Sequence, residues 1–424
     1  MSATESSATT AGCPFANLMD PALADGGLPY DRIKEIRDAG PAIKIDDPLT
    51  GVPYWAVTRK DAIDYVSKHN EIFSSALRGA PPSEMPQEEV DNIMSKMFLN
   101  MDPPDNLEYR KLIRDNFSPA TVSTYQPHLA AHAKAIIDKV IDQGSCEFVE
   151  DIAAELPLLT ILEFFDIPIE DRSSFFEWTN MMFFADDPEV STTPEAGMEA
   201  AMNMMVYFSQ LAAKWRGSSE KNINTQLLNG EIYGKPISDE DFCWIALMCV
   251  VAGNESTRTS ISQGMRNLME NPEQYAYLQQ HPEALDNAID EILRYNGSFI
   301  CMRRTATQDH IAAELGGADI KKGDKVIMYY HAANYDEAVF GKDGKNFDIR
   351  RAERHPDLSR DLRSFGYGRH NCLGMHLAKL EMKVMFTEIL KRINNPKFEG
   401  EVRYMKSTFV QGIKAMPISF EKTA

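Results

Sequence analysis

Eleven consecutive residues, Phe242 to Ala252 (FCWIALMCVVA), carry no charge and offer no polar face at helical spacing. They follow Ser238, which forms a capping box with Asp241, and Asp239 and Glu240 add negative charge that favours a helix N-terminus. The spacing predicts a helix from 239 to about 268. A helix that is apolar all round has to be buried all round. Eleven residues fall well short of the roughly 20 needed to cross a bilayer. Such a helix demands a large body packed around it, and the chain has 424 residues to build one.

The remaining pattern is mostly helical. Residues 1–28 begin MSATESSATTAGCPF, with neither a basic n-region nor an apolar h-region, and read as a mobile tail with no membrane anchor. Residues 29–424 read as one domain, with order starting at a helix over Tyr30–Ala39. Strands are expected at Ala42–Ile45 and Tyr54–Val57, and residues 80–100 look like a long loop with a short helix inside. From about 105 to 295 nearly everything reads as helix, with Asn271-Pro272 opening one helix and Asn296-Gly297 closing the next. Gly316-Gly317 reads as a hairpin turn, and Lys325–His331 and Ala415–Phe420 as strands. The fold class is therefore α+β, mostly α, with small sheets placed mostly at the two ends.

Charge and cysteine usage exclude several functions. The 44 basic residues against 63 acidic ones give a formal charge of −19, which argues against a nucleic-acid partner. Six cysteines without a C-x-x-C pair exclude zinc ribbons and thioredoxin-like motifs, and they are too sparse for a disulfide scaffold. A reduced, cytoplasmic setting fits best.

One cysteine differs from the rest. Around Cys372 the sequence reads FGYGRHNCLG, from Phe365 to Gly374, and Gly366, Gly368 and Gly374 suggest backbone lying against something flat and bulky. Leu373, Leu377, Leu380 and Val384 then recur at helical spacing. A cysteine at a helix N-terminus favours the thiolate, which serves as nucleophile or metal ligand. On these residues alone, a buried structural cysteine in a Gly-rich turn fits as well.

The ten residues resemble, position for position, the haem-binding loop of the cytochrome P450 superfamily, Phe-Gly-x-Gly-x-His-x-Cys-x-Gly. The resemblance implies a single cytochrome P450-like domain with a long central helix, holding haem b with Cys372 as the axial thiolate of its iron. It also implies that Glu291 and Arg294, in Glu-Ile-Leu-Arg, form a buried structural network with Arg351. Ala252-Gly253-Asn254-Glu255-Ser256-Thr257 resembles the family's oxygen-activation groove, so Glu255 is expected to pass protons inward and a hydroxyl to orient dioxygen. Ser256 stands where the family usually has Thr, with Thr257 next in line. His370, Arg304 and Arg110 match family positions that hold the haem propionates, and Asn106 replaces the histidine four residues before Arg110.

Nothing in the chain matches a dinucleotide fingerprint or an iron–sulfur spacing, so electrons are expected from a separate ferredoxin-type donor with its reductase. Residues 350–370 hold six arginines against three acids and read as a docking patch for such a donor. The stretch from Arg351 to Phe365 looks longer than usual for the family, implying an extra loop. Met181, Met182, Phe183, Phe184, Met202, Met204, Met205 and Phe208 are expected to form a plastic lid over the substrate. Met248, Val251, Phe299, Ile300 and Val410 are the expected walls of an apolar pocket. The implied activity is a monooxygenase inserting one oxygen atom of dioxygen into a hydrophobic small molecule, with steroids, branched lipids or terpenes favoured. A peroxide-driven peroxygenase and a non-catalytic haem-based sensor are the alternatives.

Overall fold

The Ser238 hydroxyl accepts the Asp241 amide at 3.0 Å and the Asp241 carboxylate accepts the Ser238 amide at 3.1 Å, so the capping box forms. The helix it starts runs from Asp239 to Glu270, slightly longer than its spacing predicts. The structure, a computed structural model, describes residues 17–20, 29–184, 187, 189–190, 193 and 195–423. Phe242, Ile245, Ala246, Leu247, Cys249 and Val250 are all buried, while Met248, Val251, Ala252 and Gly253 are only half-buried. The apolar helix thus has one face that is not fully packed.

The bundle forms around this helix. The helices Glu155–Phe164, Arg172–Phe183 and Ala196–Trp215 lie on it, as do Leu285–Asn296 and Met375–Arg392. Pro119–Val140 packs along the outer side of Met375–Arg392, with its Ser118 hydroxyl accepting the Thr121 amide as the N-cap. Among the described residues, no helix is long and apolar enough to cross a membrane.

A five-stranded sheet stands at one end, in the order Ala42–Ile45, Tyr54–Val57, Lys325–Tyr329, Cys301–Ala306 and Phe73–Ser74. The expected strand over Lys325–His331 stops at Tyr329, because Tyr330–Asn334 turns into a short helix. The last strand is Pro417–Lys422, later than Ala415–Phe420, and it pairs with Ser145–Glu147 and Ile393–Phe398. The strand Ser145–Glu147 and the hairpin Glu231–Ile232/Lys235–Pro236 interrupt the stretch expected as nearly all helix. Gly316 and Gly317, at φ 67° and 75°, reverse the chain after a 3-10 turn, and a bridge between His310 and Ile320 closes it.

Most of the segment expected as a mobile tail lies outside the described residues. Residues 17–20 are a correction to it: Leu18 and Met19 are buried against Ile36, Tyr54 and Ile327. The Leu18 amide donates to the Tyr54 hydroxyl at 3.1 Å, and Asn17 donates to Asp47 at 2.8 Å. Two apolar side chains and these hydrogen bonds, with the Tyr54 hydroxyl also donating to Asn17 Oδ1 at 3.2 Å, fasten the chain there before its first helix.

Candidate active site

The cysteine loop closes on itself. The Cys372 amide donates to the Phe365 carbonyl at 2.8 Å, and Arg110 Nη2 reaches across to the Asn371 carbonyl at 2.8 Å. The three glycines do different work. Gly366 and Gly368 have φ of +67° and +73°, and a Cβ on Gly368 would sit 2.6 Å from the Ser67 carbonyl oxygen. Gly368 therefore serves contact with the helix Lys60–Lys68 and does not line the cavity beside Cys372, contrary to its expected cofactor role. Only Gly374 fits the expected reason, since a Cβ there meets no protein atom within 4 Å and would project into that cavity.

Cys372 is exposed, but onto the cavity. Enclosure pushes its thiol up, while the Gly374 and Met375 amides and the Arg110 charge act in the opposite direction. Amides at the start of Met375–Arg392 thus point at the sulfur, as a thiolate ligand requires.

Across the cavity stands the half-packed face of the central helix, presenting Met248, Cys249, Ala252, Gly253, Ser256 and Thr257. Ser256 Oγ donates back to the Ala252 carbonyl at 2.7 Å. Glu255 does not itself line the cavity. One residue from Ser256 is about 100° round the helix, and the fully buried Glu255 turns towards Arg258, with which it forms an ion pair. Thr259 Oγ1 donates to its Oε1 at 3.0 Å. Burial pushes the Glu255 carboxyl up, and Arg258 and Thr259 offset part of that. The neighbouring polar residues also face the helix Arg172–Phe183, with Asn254 donating to Thr179 and Arg258 to Asn180, each at 2.8 Å.

Arg304, Arg110 and His370 meet at one end of the cavity. Neither guanidinium forms an ion pair with a carboxylate among the described residues, although the Asp102 charge acts on Arg304, and Nε of the buried Arg304 has no hydrogen-bond partner. Enclosure, then the charges of Arg304 and Arg110, push His370 down to about 3. Its Nε2 lies 3.3 Å from the Ser75 hydroxyl. Two cations that face the cavity and form no ion pair there, with Asp102 acting on Arg304 only as a more distant charge, are what a dianionic ligand such as haem needs. Asn106 is fully buried with both amide atoms unpartnered, one turn before Arg110, but it does not line the cavity. The expected Asn106 contact with the ligand is thus absent from the wall. The thiol, the open face at Gly374 and the unpaired cations together fit the cofactor.

The substrate walls are only partly as expected. Met248 and Phe299 line the cavity. Val251, which like Met248 packs against the main core, does not. Ile300 is buried on the other side of the chain from Phe299, against Tyr54 and Ile327, since successive extended residues point to opposite faces. Val410 sits behind Phe299, bridged to it, in a cluster with Phe184 and Met405. None of the eight expected lid residues lines the cavity; Met204 and Phe208 are core, and Met202 is 62% exposed. Phe98, Leu99, Pro157, Ile161 and Met302 supply the apolar lining that sequence reasoning missed. Glu381 was missed too, although an acid four residues after Leu377, on the buried stripe of its helix, is a legible anomaly.

Glu291, Arg294 and Arg351 form the expected network and are almost wholly buried. Arg294 holds both Glu291 oxygens at 2.7 Å, and Arg351 Nε lies 3.1–3.2 Å from the same pair. The stretch expected as an extra loop folds into a 3-10 turn at Arg351–Glu353 and a helical turn at Leu358–Asp361. Its positive excess does not survive folding. Arg350 pairs with Glu353, Arg351 with Glu291, Arg354 with Asp343 and Asp348, Arg360 with Asp357, and Arg363 with Asp64. Arg369 alone of the six makes no ion pair with a described residue.

Known proteins share this arrangement. The Cytochrome P450 family profile matches residues 161–399. A steroid C26-monooxygenase of Mycolicibacterium smegmatis is 32% identical over 413 residues, covering 95% of this chain and 93% of that protein. A linalool 8-monooxygenase of Pseudomonas putida is 31% identical over 409 residues, covering 95% and 98%. The structure of a Mycobacterium marinum cytochrome P450 in complex with pseudoionone superposes with a TM-score of 0.86 at 29% identity, covering 97% of this chain and all of that one. Haem held by an axial cysteine thiolate is the cofactor of such proteins, and this chain belongs to the cytochrome P450 family of monooxygenases.

Proposed function

We propose that this enzyme hydroxylates an apolar small molecule of the steroid, terpenoid or branched-lipid class, with Cys372 as the axial ligand of its haem. The observation that carries the reading is the composition of one cavity. It holds a cysteine backed by helix amides, two unpaired arginines, and a far wall of Met248, Phe299, Met302, Phe98 and Leu99. Relatives named for oxidising a steroid, linalool and a methyl-branched lipid support that substrate range.

The bound haem would supply dioxygen activation. Arg304, Arg110 and His370 would hold its two carboxylates, and Phe365, Gly366 and Gly374 would pack against it beside Cys372. On the opposite side the Ser256 and Thr257 hydroxyls, beside the small Ala252 and Gly253, would orient dioxygen and hand on protons. Phe299 and Met248 would position the substrate and exclude water. Electrons would come from a separate ferredoxin-type protein with its reductase. With the five arginines of 350–363 in ion pairs and Arg369 outside them, that partner docks by shape more than by charge.

The test is the spectrum of the reduced, carbon-monoxide-bound protein. A Soret band at the red-shifted thiolate position is expected, and Cys372→Ser is expected to abolish the shift. A band without that shift overturns the reading. A spin-state titration with steroids, terpenoids and branched fatty acids then identifies the substrate class.

A further inference from the structure

Three serines meet on the cavity side of the central helix. Ser256, Ser260 and Ser298 all line the cavity, the first half-buried and the other two almost fully buried. Along the helix they start as a ladder: Ser256 Oγ donates back to the Ala252 carbonyl at 2.7 Å, and Ser260 Oγ to the Ser256 carbonyl at 3.0 Å. Back-bonds of this kind compete with the helix's own pairing and tend to bend it. Serine also lacks the γ-methyl that restricts the side-chain rotamer of threonine. The Ser256 hydroxyl therefore has little of its own to fix its aim.

A brace arrives from outside the helix. Ser298, two residues beyond the helix Leu285–Asn296, donates from its hydroxyl to the Ser256 carbonyl, and its Oγ lies 2.9 Å from Ser260 Oγ. Two hydroxyl protons serve the three contacts of this triangle, so neither hydroxyl keeps a proton for a ligand. Ser298 is itself anchored apart from that triangle. Its carbonyl accepts the Gln411 amide at 2.9 Å, and Gln263 of the central helix donates to the Gln411 carbonyl at 2.9 Å. Gly297 before it allows a close approach, since a Cβ there would sit 2.5 Å from Ser364 Oγ and 2.8 Å from the Leu293 carbonyl oxygen.

We propose that Ser298 is a positioning residue for Ser256. By holding the Ser256 carbonyl from a separately anchored segment, it sets the direction of the Ser256 hydroxyl towards the diatomic ligand of the haem. Ser260 shares the carbonyl but belongs to the same helix and moves with it, so Ser298 is the member that fixes the helix against the rest of the cavity wall. Its own hydroxyl is committed within the triangle, and it acts only through Ser256. This role rests on the monooxygenase reading.

The probe is carbon monoxide on the reduced holoenzyme without substrate, because its infrared stretch responds to the polar groups around it. Ser256→Ala is expected to shift the band, and Ser298→Ala to broaden it and move it the same way by less. In the double variant the band is expected to coincide with that of Ser256→Ala, since one residue acts through the other. Hydrogen exchange of the amides of 257–261 is expected to quicken about fivefold in Ser298→Ala, with the rest of the helix as in the parent. An unchanged band in Ser298→Ala overturns the inference even where exchange quickens, because the serine is then a structural contact only. Unchanged exchange overturns it too. So does a double variant displaced beyond Ser256→Ala, or a Ser256→Ala band that does not move. A holoenzyme without the red-shifted thiolate band overturns the monooxygenase reading instead, an outcome on which the exchange measurement does not depend.

Discussion

Glu255 and Arg258 form an ion pair one turn apart on the central helix, and neither reaches solvent. The Arg258 guanidinium lies 5.6 Å and 5.7 Å from the rings of Phe176 and Phe184 and donates to Asn180, so the pair also joins the central helix to Arg172–Phe183. Buried pairs are weak net stabilisers, but breaking one strands a charge. Arg258→Met is expected to cost about 3–5 kcal/mol. The double variant with Glu255→Gln is expected to recover most of that. Urea denaturation of the four-member cycle measures it, and equal losses in single and double variants would refute the coupling.

Glu381 makes an opposite prediction about pH. Its carboxyl is raised in the folded state from an ordinary value of 4.5 to about 8, so folding takes up a proton between those limits. Its contribution is favourable at low pH and is lost as pH rises through that window. Glu381→Gln removes the penalty, and its stability relative to the parent is expected to rise by several kcal/mol from about pH 5 to pH 9. Parallel denaturant midpoints at both pH values would contradict this.

Glu84 fastens the 80–100 loop. It lies 3.0 Å from Arg303 and 2.9 Å from Lys325, two cations buried on adjacent strands. Burial pushes its carboxyl up, but Lys325 and Arg303 more than offset this and hold it below the ordinary value. The fastening is therefore complete above the ordinary carboxylate range and is lost as pH falls below it. Hydrogen exchange across residues 80–100 is expected to quicken on acidification, and Glu84→Gln to quicken it at pH 7. Unchanged exchange in that variant would show that the backbone bond from Arg303 to Ala80, at 2.7 Å, suffices.

The paired arginines of 350–363 lead to a further expectation. Reduction by a ferredoxin-type donor should change by less than about twofold as salt rises from 50 to 500 mM, since few charges are free to steer encounter. A steep fall, measured by stopped flow, would restore a role for charge.

Motifs that act through local backbone geometry were legible: the capping box and the cysteine loop stand where their spacing puts them, and the Glu291–Arg294–Arg351 network forms as the family resemblance implied. Directions were harder to read. Glu255 is placed by its spacing on the right helix, but only packing decides that it faces Arg258 and not the cavity. Ile300 and Val410 are apolar and close to Phe299, yet strand alternation and a bridging contact put both behind the wall. The arginine-rich stretch misled because its acids Asp64, Asp343 and Asp348 lie outside it in sequence. Long-range partners of this kind leave no local pattern.

Gly253 sits at the cavity face of the central helix, where a Cβ would make only ordinary contact with Ile161 Cδ1 at 3.6 Å. Replacing Gly by Ala within a helix is worth about 1 kcal/mol to the fold. A methyl here strengthens the scaffold and takes its space from the cavity. Drift at this position is thus restrained by what the enzyme must accommodate, not by folding, and one carbon atom can retune substrate range over evolutionary time.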